Sequence, residues 1–276
     1  MIDLRWQGHE RLIGSYLLDT AEGPALVDCG PSSGLDGLRA GLRSHGLELE
    51  DVRHLLLTHI HLDHSGASGV LVREHPELQV HVSEIGAPHV VDPSRLERSA
   101  RRLYGDAFDA LWGELAPVPE ENVHVAGGRV AGLDCFPSPG HASHHVCYLA
   151  PDGTLYSGDA AGVRIQPSRT VLPPTPPPEI DLEAWNATLD ELERRQPERL
   201  ALTHFGVADD PAGHVPELRD RLRTWAAWVR GGTSEEEFVR RGLAELGDDA
   251  AEYDLVMPLW QSYAGLKRYW DKRASG

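Results

Sequence analysis

Cysteine is scarce in this chain, and that scarcity argues against a fold held together by disulfide bonds. The 276 residues include three cysteines, Cys29, Cys135 and Cys147. A set this small and odd in number fits a reducing compartment better than a disulfide framework. The first residues also lack the basic start and apolar segment of a signal peptide, so we expect a cytoplasmic protein.

Long apolar runs and positive charge are also in short supply. No apolar stretch reaches the length of about 18 residues that a transmembrane helix needs, so we expect no membrane partner. The chain has 26 lysine and arginine residues against 43 aspartate and glutamate residues, a formal net charge of −17 at pH 7. Because such a field repels phosphate, a nucleic-acid partner is disfavoured. We expect a small-molecule substrate, with a homodimer left open as the assembly.

The remaining composition is typical of a globular α/β protein. The chain is 41% hydrophobic and 25% charged, which is sufficient for a packed core. Its length suits one large domain, with or without a small appendage. Apolar runs predict strands at Ile13–Asp19, Pro24–Asp28, Val52–Leu57, Gln79–Val82, Asn122–Ala126, Arg129–Phe136, His145–Ala150, Thr154–Ser157 and Arg199–Leu202. Helical patterns cover residues 93–116, Asp181–Arg195 and most of the chain from Pro216 onward.

Histidine and aspartate are concentrated directly after one predicted strand. The segment LLLTHIHLDHSG, residues 55–66, contains His59, His61, Asp63 and His64. Imidazole nitrogens and carboxylate oxygens are good ligands for zinc and similar divalent metals. Because His59 and His61 are two residues apart, an extended backbone points both side chains the same way. Asp63 and His64 follow a turn, so this one loop can supply half of each of two metal sites.

Three further candidate ligands occupy the same kind of position. His141 lies in SPGHASHH, Asp159 in YSGDA and His204 in LALTHFG. Each follows a strand-like run and lies in a loop. Ligands gather beyond the carboxyl ends of strands in α/β sheets, so we expect these loops to converge on one site.

Taken in order, the motifs THIHLDH, PGH, SGD and THFG resemble those of the metallo-β-lactamase superfamily. The resemblance spans residues 13 to about 206. It implies an α/β fold, a four-layer αββα sandwich with metals at one edge and a helical C-terminal extension. We therefore expect a metal-binding catalytic domain over residues 1–210 and a helical extension packed on it over residues 211–276.

The resemblance also implies how the ligands divide between two metals. The implied set is, for the first metal, His59, His61 and His141; for the second, Asp63, His64 and His204; and, bridging both, Asp159. Counting donors favours the same division, since each metal then has three protein ligands, a shared carboxylate and open positions for water. We expect two divalent metal ions, zinc first, with iron or manganese as alternatives.

The implied reaction is hydrolysis of an ester, thioester or lactone. A hydroxide that bridges the metals attacks the substrate carbonyl, and both metals stabilise the developing oxyanion. Asp63 and Asp159 are the expected catalytic carboxylates, Asp63 as a ligand that also passes a proton and Asp159 as the bridge. The alternative is an oxidoreductase resembling the sulfur dioxygenases of this fold, which bind a single iron through a subset of these ligands.

Within the superfamily, the chain is similar to glyoxalase II-type hydrolases and to lactonases. It departs from the glyoxalase pattern because DHSGAS stands where DHxGG is usual, and the basic and tyrosine residues that hold glutathione are not matched. The negative charge disfavours the nucleases of the superfamily. Antibiotic β-lactamases of this fold commonly lack the arrangement seen here at Asp63 and are secreted, so that activity is disfavoured. A non-catalytic metal-binding protein is a further class.

Several residues near the motifs have two interpretations. Asp28 either supports the site or forms a turn, and His144 and His145 either hydrogen-bond to the ligands or are merely exposed or packed. Cys29 is interpreted as a small buried residue and not as a nucleophile. The proline-rich segment 166–178 is either a pocket wall or a stiff connector. The aromatic residues of WQSYAGLKRYW either cover the site or pack helices together.

Overall fold

The computed structural model describes residues 1–275, which form two β-sheets and a series of α-helices. The strands are β1 (Ile2–Asp3), β2 (Gly14–Thr20), β3 (Gly23–Val27), β4 (His54–Leu56), β5 (Gln79–Val82), β6 (Val123–Val125), β7 (Gly128–Val130), β8 (Leu133–Pro137), β9 (Val146–Leu149), β10 (Thr154–Tyr156), β11 (Arg199–Leu202) and β12 (Gly206–Ala208). The helices are α1 (Leu35–Ser44), α2 (Leu62–Ser65), α3 (Ser68–Glu74), α4 (Ala87–Val91), α5 (Ser94–Tyr104), α6 (Phe108–Trp112), α7 (Leu182–Arg195), α8 (Pro211–Arg230), α9 (Glu235–Leu246), α10 (Ala250–Val256) and α11 (Leu259–Ser275).

The first sheet contains β1 to β6 in chain order. β1, β2 and β3 pair in antiparallel fashion, whereas β3, β4, β5 and β6 are parallel neighbours. All three residues of β4 are buried, as expected for a central parallel strand covered on both faces. The carboxyl end of β4 is the point from which the first candidate ligands emerge.

The second sheet has the order β12-β11-β10-β9-β8-β7 and also mixes strand directions. β10 and β11 are parallel, while β7, β8 and β9 form an antiparallel meander. The single strand predicted over Arg129–Phe136 is wrong, because the chain reverses at Ala131 and Gly132. Both of those residues have positive φ, 45° and 84°, as a two-residue hairpin turn of type I′ requires.

The chain divides into two compact units. The first unit comprises Met1–Pro137 and His144–Asp152, and the second comprises Ser138–Ser143 and the chain from Gly153 onward. The domain boundary expected at residue 210 stays a prediction.

In the first unit, apolar packing fixes the short helix that carries two candidate ligands. Leu62, the first residue of α2, lies in a cluster with Ala100 of α5 and Phe108 of α6. Phe108 is fully buried, and burying such a ring contributes about 1.5–3 kcal/mol. The cluster therefore anchors the backbone between His61 and Asp63.

In the second unit, a helical C-terminal region packs around aromatic side chains, and the predicted helical extension is confirmed. α8 begins at Pro211 and not at Pro216, because proline at the first helical position has no hydrogen bond to lose. Trp225 of α8 meets Phe238 of α9 edge to face, with ring centroids 5.1 Å apart. Over residues 1–275, none of the helices combines the length and apolar character needed to cross a bilayer.

Candidate metal centre

The first group of candidate ligands lies in the first unit, in the loop that follows β4. Leu55, Leu56 and Leu57 are completely buried, so the strand is rigidly held up to the point where the loop begins. The Thr58 carbonyl accepts a hydrogen bond of 2.8 Å from the backbone N–H of Val146. The ligand loop is therefore attached at its base to the main chain of β9.

His59 and His61 present nitrogens at the spacing of two ligands on one cation. His59 Nε2 lies 3.0 Å from His61 Nδ1. Metal–nitrogen bonds of about 2.0–2.1 Å in tetrahedral geometry place neighbouring ligand atoms about 3.3 Å apart, close to this distance. His59 is fully buried, whereas His61 is partly exposed, so this pair is reachable from solvent on one side.

His64 is oriented by a buried carboxylate. Its Nδ1 lies 2.8 Å from Asp28 Oδ2, and both side chains are completely buried. Because the carboxylate can only accept, Nδ1 carries the proton, and Nε2 is the nitrogen that can bind a metal. That Nε2 lies 3.8 Å from Asp63 Oδ2. Asp28 therefore does more than form a turn, because it selects the tautomer that metal-binding histidines use.

Thr58 completes this support. Its backbone N–H donates to Asp28 Oδ1 over 2.8 Å, and its hydroxyl lies 2.9 Å from Asp28 Oδ2. The same hydroxyl lies 3.1 Å from Nδ1 of His59. Thr58 thus connects the buried carboxylate to both histidines.

His144 and His145 also belong to the surroundings of this loop. The ring of His145 stacks on that of His59, with centroids 4.7 Å apart and planes at 24°. His144 Nδ1 accepts a hydrogen bond of 3.4 Å from the backbone N–H of Ile60. Both histidines are buried, so the interpretation as merely exposed residues is wrong.

The second group of candidate ligands, His141, Asp159 and His204, lies in the second unit. Asp159 Oδ2 is 3.3 Å from His141 Nε2, and Asp159 Oδ1 is 3.7 Å from His204 Nε2. All three side chains are buried. Each carboxylate oxygen thus faces a different imidazole, which is the arrangement expected of a carboxylate shared by two cations.

A backbone carbonyl from the proline-rich segment sets the tautomer of His141. His141 Nδ1 donates to the carbonyl of Pro174 over 2.8 Å, so Nε2 faces Asp159 with its lone pair. Gly140 has φ of 137°, and a Cβ there would lie 2.3 Å from Cα of Trp185. Only glycine fits this approach. The Trp185 indole N–H in turn donates to the carbonyl of Ala160 over 2.8 Å, next to Asp159.

Arg164 holds the backbone at His204. Its N–H donates to the His204 carbonyl over 2.7 Å, and the Phe205 N–H donates to the Arg164 carbonyl over 3.1 Å. The buried Arg164 guanidinium forms an ion pair of 2.7 Å with Asp210. Sequence reasoning missed Arg164 and Trp185, because the groups they bind next to the ligands are backbone groups, which no sequence pattern marks.

The thiols and the C-terminal aromatic residues have structural roles. Burial raises the pKa of Cys29 far above its usual range and that of Cys135 to about 12, so both stay protonated and neither is a nucleophile. The Tyr269 hydroxyl lies 2.5 Å from a carboxylate oxygen of Glu183, and the Trp270 indole donates to the Ala226 carbonyl over 2.9 Å. These contacts join helices and favour the packing interpretation.

The donors present fit a divalent metal of the zinc, iron or manganese type. Within the first unit, ligand atoms of His59 and His61, and those of Asp63 and His64, lie within 4.8 Å of one another, and so do those of His141 and Asp159 in the second unit. Imidazole and carboxylate without thiolate is the ligand set that these three metals share.

Comparison with known proteins gives the family. The profile of the Metallo-beta-lactamase superfamily matches residues 12–204. The chain is 27% identical over 168 residues to a metallo-beta-lactamase fold-containing protein of Sulfurisphaera tokodaii, covering 58% of this chain and 62% of that protein. It is 31% identical over 136 residues to a hydroxyacylglutathione hydrolase of Alkalilimnicola ehrlichii, covering 49% of this chain and 41% of the relative.

A third relative and two solved structures extend the comparison. An atrochrysone carboxyl ACP thioesterase of Aspergillus terreus is 26% identical over 152 residues, covering 52% of this chain and 37% of the relative. The matches span less than two thirds of the length of these curated relatives. An archaeal superfamily protein from Sulfolobus tokodaii shares the fold with a TM-score of 0.69 and 22% identity, covering 93% of each chain. TTHA1623 in a di-iron-bound form matches with a TM-score of 0.54 and 28% identity, covering 71% of this chain and 88% of that one.

The predicted α/β fold is confirmed by these matches together with the two mixed sheets and the helical C-terminal region. The seven candidate ligands lie within the matched residues 12–204, although the last motif, THFG, extends to Gly206. The chain belongs to the metallo-beta-lactamase superfamily.

Proposed function

We propose that the protein is a hydrolase that uses two divalent metal ions. The proposed ligands are the seven side chains expected from the motifs, His59, His61, Asp63, His64, His141, Asp159 and His204. The observation that carries the proposal is the control of tautomers, since Asp28 and the Pro174 carbonyl each bind the Nδ1 proton of a candidate ligand. Metal-binding histidines almost always have such a partner on the ring nitrogen that does not bind the metal, and in both of these histidines it leaves Nε2 as the nitrogen that can bind a cation.

The residues of the chain have separate tasks in this proposal. When bound, the two metal ions lower the pKa of a water molecule to about 7 and polarise the substrate carbonyl. Asp159 would be the carboxylate shared by the ions, since its two oxygens face different imidazoles, those of His141 and His204. Asp63, which is partly exposed at the start of α2, takes the proton of the attacking water and returns it to the leaving group.

The proposed substrate class is an acyl ester, thioester or lactone, with a thioester first. Two of the matched relatives are named as enzymes of thioester chemistry, a hydroxyacylglutathione hydrolase and an ACP thioesterase. A thiolate is a good leaving group, so a water activated near neutral pH is sufficient to displace it. Because the glutathione-binding residues of glyoxalase II are not matched, the thiol part of the substrate is left open.

A substrate panel tests the proposal. Acyl esters, acyl thioesters and lactones are assayed with the chain loaded in turn with Zn²⁺, Mn²⁺ and Fe²⁺. Asp159→Asn should lower kcat at least about 100-fold, because an amide cannot hold two cations as a carboxylate does. The matched control is Asp106→Asn at an exposed position, which should leave kcat unchanged.

Two outcomes would overturn the proposal. One is wild-type kcat in metal-loaded Asp159→Asn protein. The other is the absence of turnover across the whole panel, combined with oxygen uptake on a persulfide substrate and one iron per chain. The second outcome would instead establish the mononuclear iron oxidoreductase.

A further inference from the structure

Three histidines that the proposed metal centre does not use lie side by side on the first sheet. His54, His81 and His124 belong to the neighbouring parallel strands β4, β5 and β6. His81 pairs directly with His124 of β6 and with Leu56 of β4. His54 lies two residues before Leu56 and is therefore the diagonal neighbour of His81. All three side chains therefore emerge on one face of the sheet.

The rings form a continuous row. The centroids of His54 and His81 are 5.2 Å apart, and those of His81 and His124 are 5.3 Å apart with planes at 29°. His54 is buried, His81 is half-buried and His124 is exposed. The row thus leads from the sheet interior to solvent, and a cation has an entry path at His124.

The inner pair already has the spacing of a chelate. His54 Nδ1 lies 3.1 Å from His81 Nε2, close to the separation of about 3.3 Å that two nitrogens adopt on one tetrahedral zinc-like ion. On the other side of the His54 ring, Nε2 is 4.0 Å from a carboxylate oxygen of Glu22. A carboxylate near Nε2 favours the tautomer that has its proton on Nε2, and this tautomer leaves a lone pair on Nδ1 for a metal ion.

Both inner imidazoles are neutral at physiological pH. Burial, followed by the neighbouring imidazoles of His54 and His124, lowers the pKa of His81 to about 4. Burial also lowers the pKa of His54, with Arg53 and His124 acting in the same direction and Glu22 opposing them. Binding of a metal ion would therefore release no net proton from the two histidines. His81 would remain neutral and would only change tautomer, with its hydrogen on Nδ1 in place of Nε2.

We propose that His54 and His81, joined by a rotation of the exposed His124 side chain, form a second metal site for a borderline divalent ion such as Cu²⁺, Ni²⁺ or Zn²⁺. Neutral imidazoles are the preferred ligands of these ions. The net charge of −17 raises the local concentration of any cation. The site is separate from the proposed catalytic ligands, because His54 begins β4 whereas His59 follows its end.

Copper binding to the full chain tests this site. Protein with its proposed catalytic centre saturated with Zn²⁺ is titrated with Cu²⁺ and followed by electron paramagnetic resonance. The wild type should bind about one equivalent of Cu²⁺ with hyperfine structure from two or three imidazole nitrogens. His81→Gln should lose that equivalent, and His124→Gln should reduce the number of coupled nitrogens. His45→Gln, at an exposed histidine that directly follows α1, is the matched control and should change nothing.

Two further measurements keep the proposal refutable. His61→Ala should keep the copper equivalent, so a failure of the proposed catalytic centre is distinguishable from a failure of this site. Since His81 is half-buried, the folding of each variant is checked by circular dichroism. If His81→Gln does not fold, His124→Gln, at an exposed position, still tests the site. An unchanged copper spectrum and affinity in either folded variant would overturn the proposal.

Discussion

Replacing Asp28 by asparagine should weaken the binding of one metal ion without removing any proposed ligand. In the wild type, Asp28 Oδ2 lies 2.8 Å from His64 Nδ1, while Oδ1 accepts the N–H of Thr58 over 2.8 Å. In Asp28→Asn, the amide oxygen keeps the Thr58 bond and the amide NH₂ faces His64. An NH₂ group cannot accept a hydrogen bond. His64 therefore moves its proton to Nε2, where it blocks the lone pair that the metal needs.

The size of the effect follows from the contacts. Loss of such a supporting partner lowers metal affinity about 10–100-fold, which corresponds to about 1.4–2.7 kcal/mol. Because the substitution removes the charge that strengthens the hydrogen bonds of a fully buried group, the free energy of unfolding should also fall by about 1–3 kcal/mol.

Calorimetric zinc titration of chelator-treated wild type and Asp28→Asn measures the affinity. Long-range ¹H–¹⁵N correlation spectra of the imidazoles report the tautomer of His64. Asp106→Asn is the control and should match the wild type in both measurements. A folded Asp28→Asn protein with wild-type zinc affinity and an unchanged His64 tautomer would refute the reasoning.

Two further predictions concern stability. Gly140→Ala should cost more than about 3 kcal/mol in urea denaturation, since its Cβ would meet Trp185 at 2.3 Å. Gly105→Ala, with φ of 55° and nothing within 4 Å, should cost only the backbone strain of about 1–3 kcal/mol, and equal costs would contradict this. The pKa of His81, about 4 in the folded state and lower than the 6.5 expected when unfolded, means that the unfolded state binds the proton more readily. Stability is therefore full above pH 6.5 and falls as the pH drops towards 4, by no more than about 3 kcal/mol. His81→Gln should lose less stability than the wild type between these pH values in urea denaturation, and an identical loss would refute the assignment.

The ligand loop was predictable from sequence because its residues are adjacent in the chain. Once β4 is recognised as a buried strand, the spacing of His59, His61, Asp63 and His64 places them beyond its carboxyl end. The helical C-terminal region was predictable from its residue pattern, and the α/β fold from the resemblance of the motifs.

The supports of the ligands were not predictable. The carbonyl of Pro174 acts on His141 across 33 positions of chain, and a carbonyl is present at every residue. The role of Asp28 depends on a contact with His64, 36 positions away in the chain. From sequence alone, a turn-forming residue and a residue that supports the site were therefore equally good interpretations of Asp28. The strands β1 and β12 are too short for a periodic pattern. The division of ligands between two metals and the boundary at residue 210 stay predictions.

Metal content per chain tests the central claim most directly. Two proteins are compared: the full chain with His81→Gln, which removes the proposed second site, and the same chain with Asp159→Asn added. Each is purified without chelator, incubated with Zn²⁺, Mn²⁺ or Fe²⁺, freed of loosely bound metal and subjected to elemental analysis. We expect about two ions per chain in the first protein and at most about one in the second. Fewer than about one ion per chain in the first protein with every metal, or equal content in both, would contradict the account.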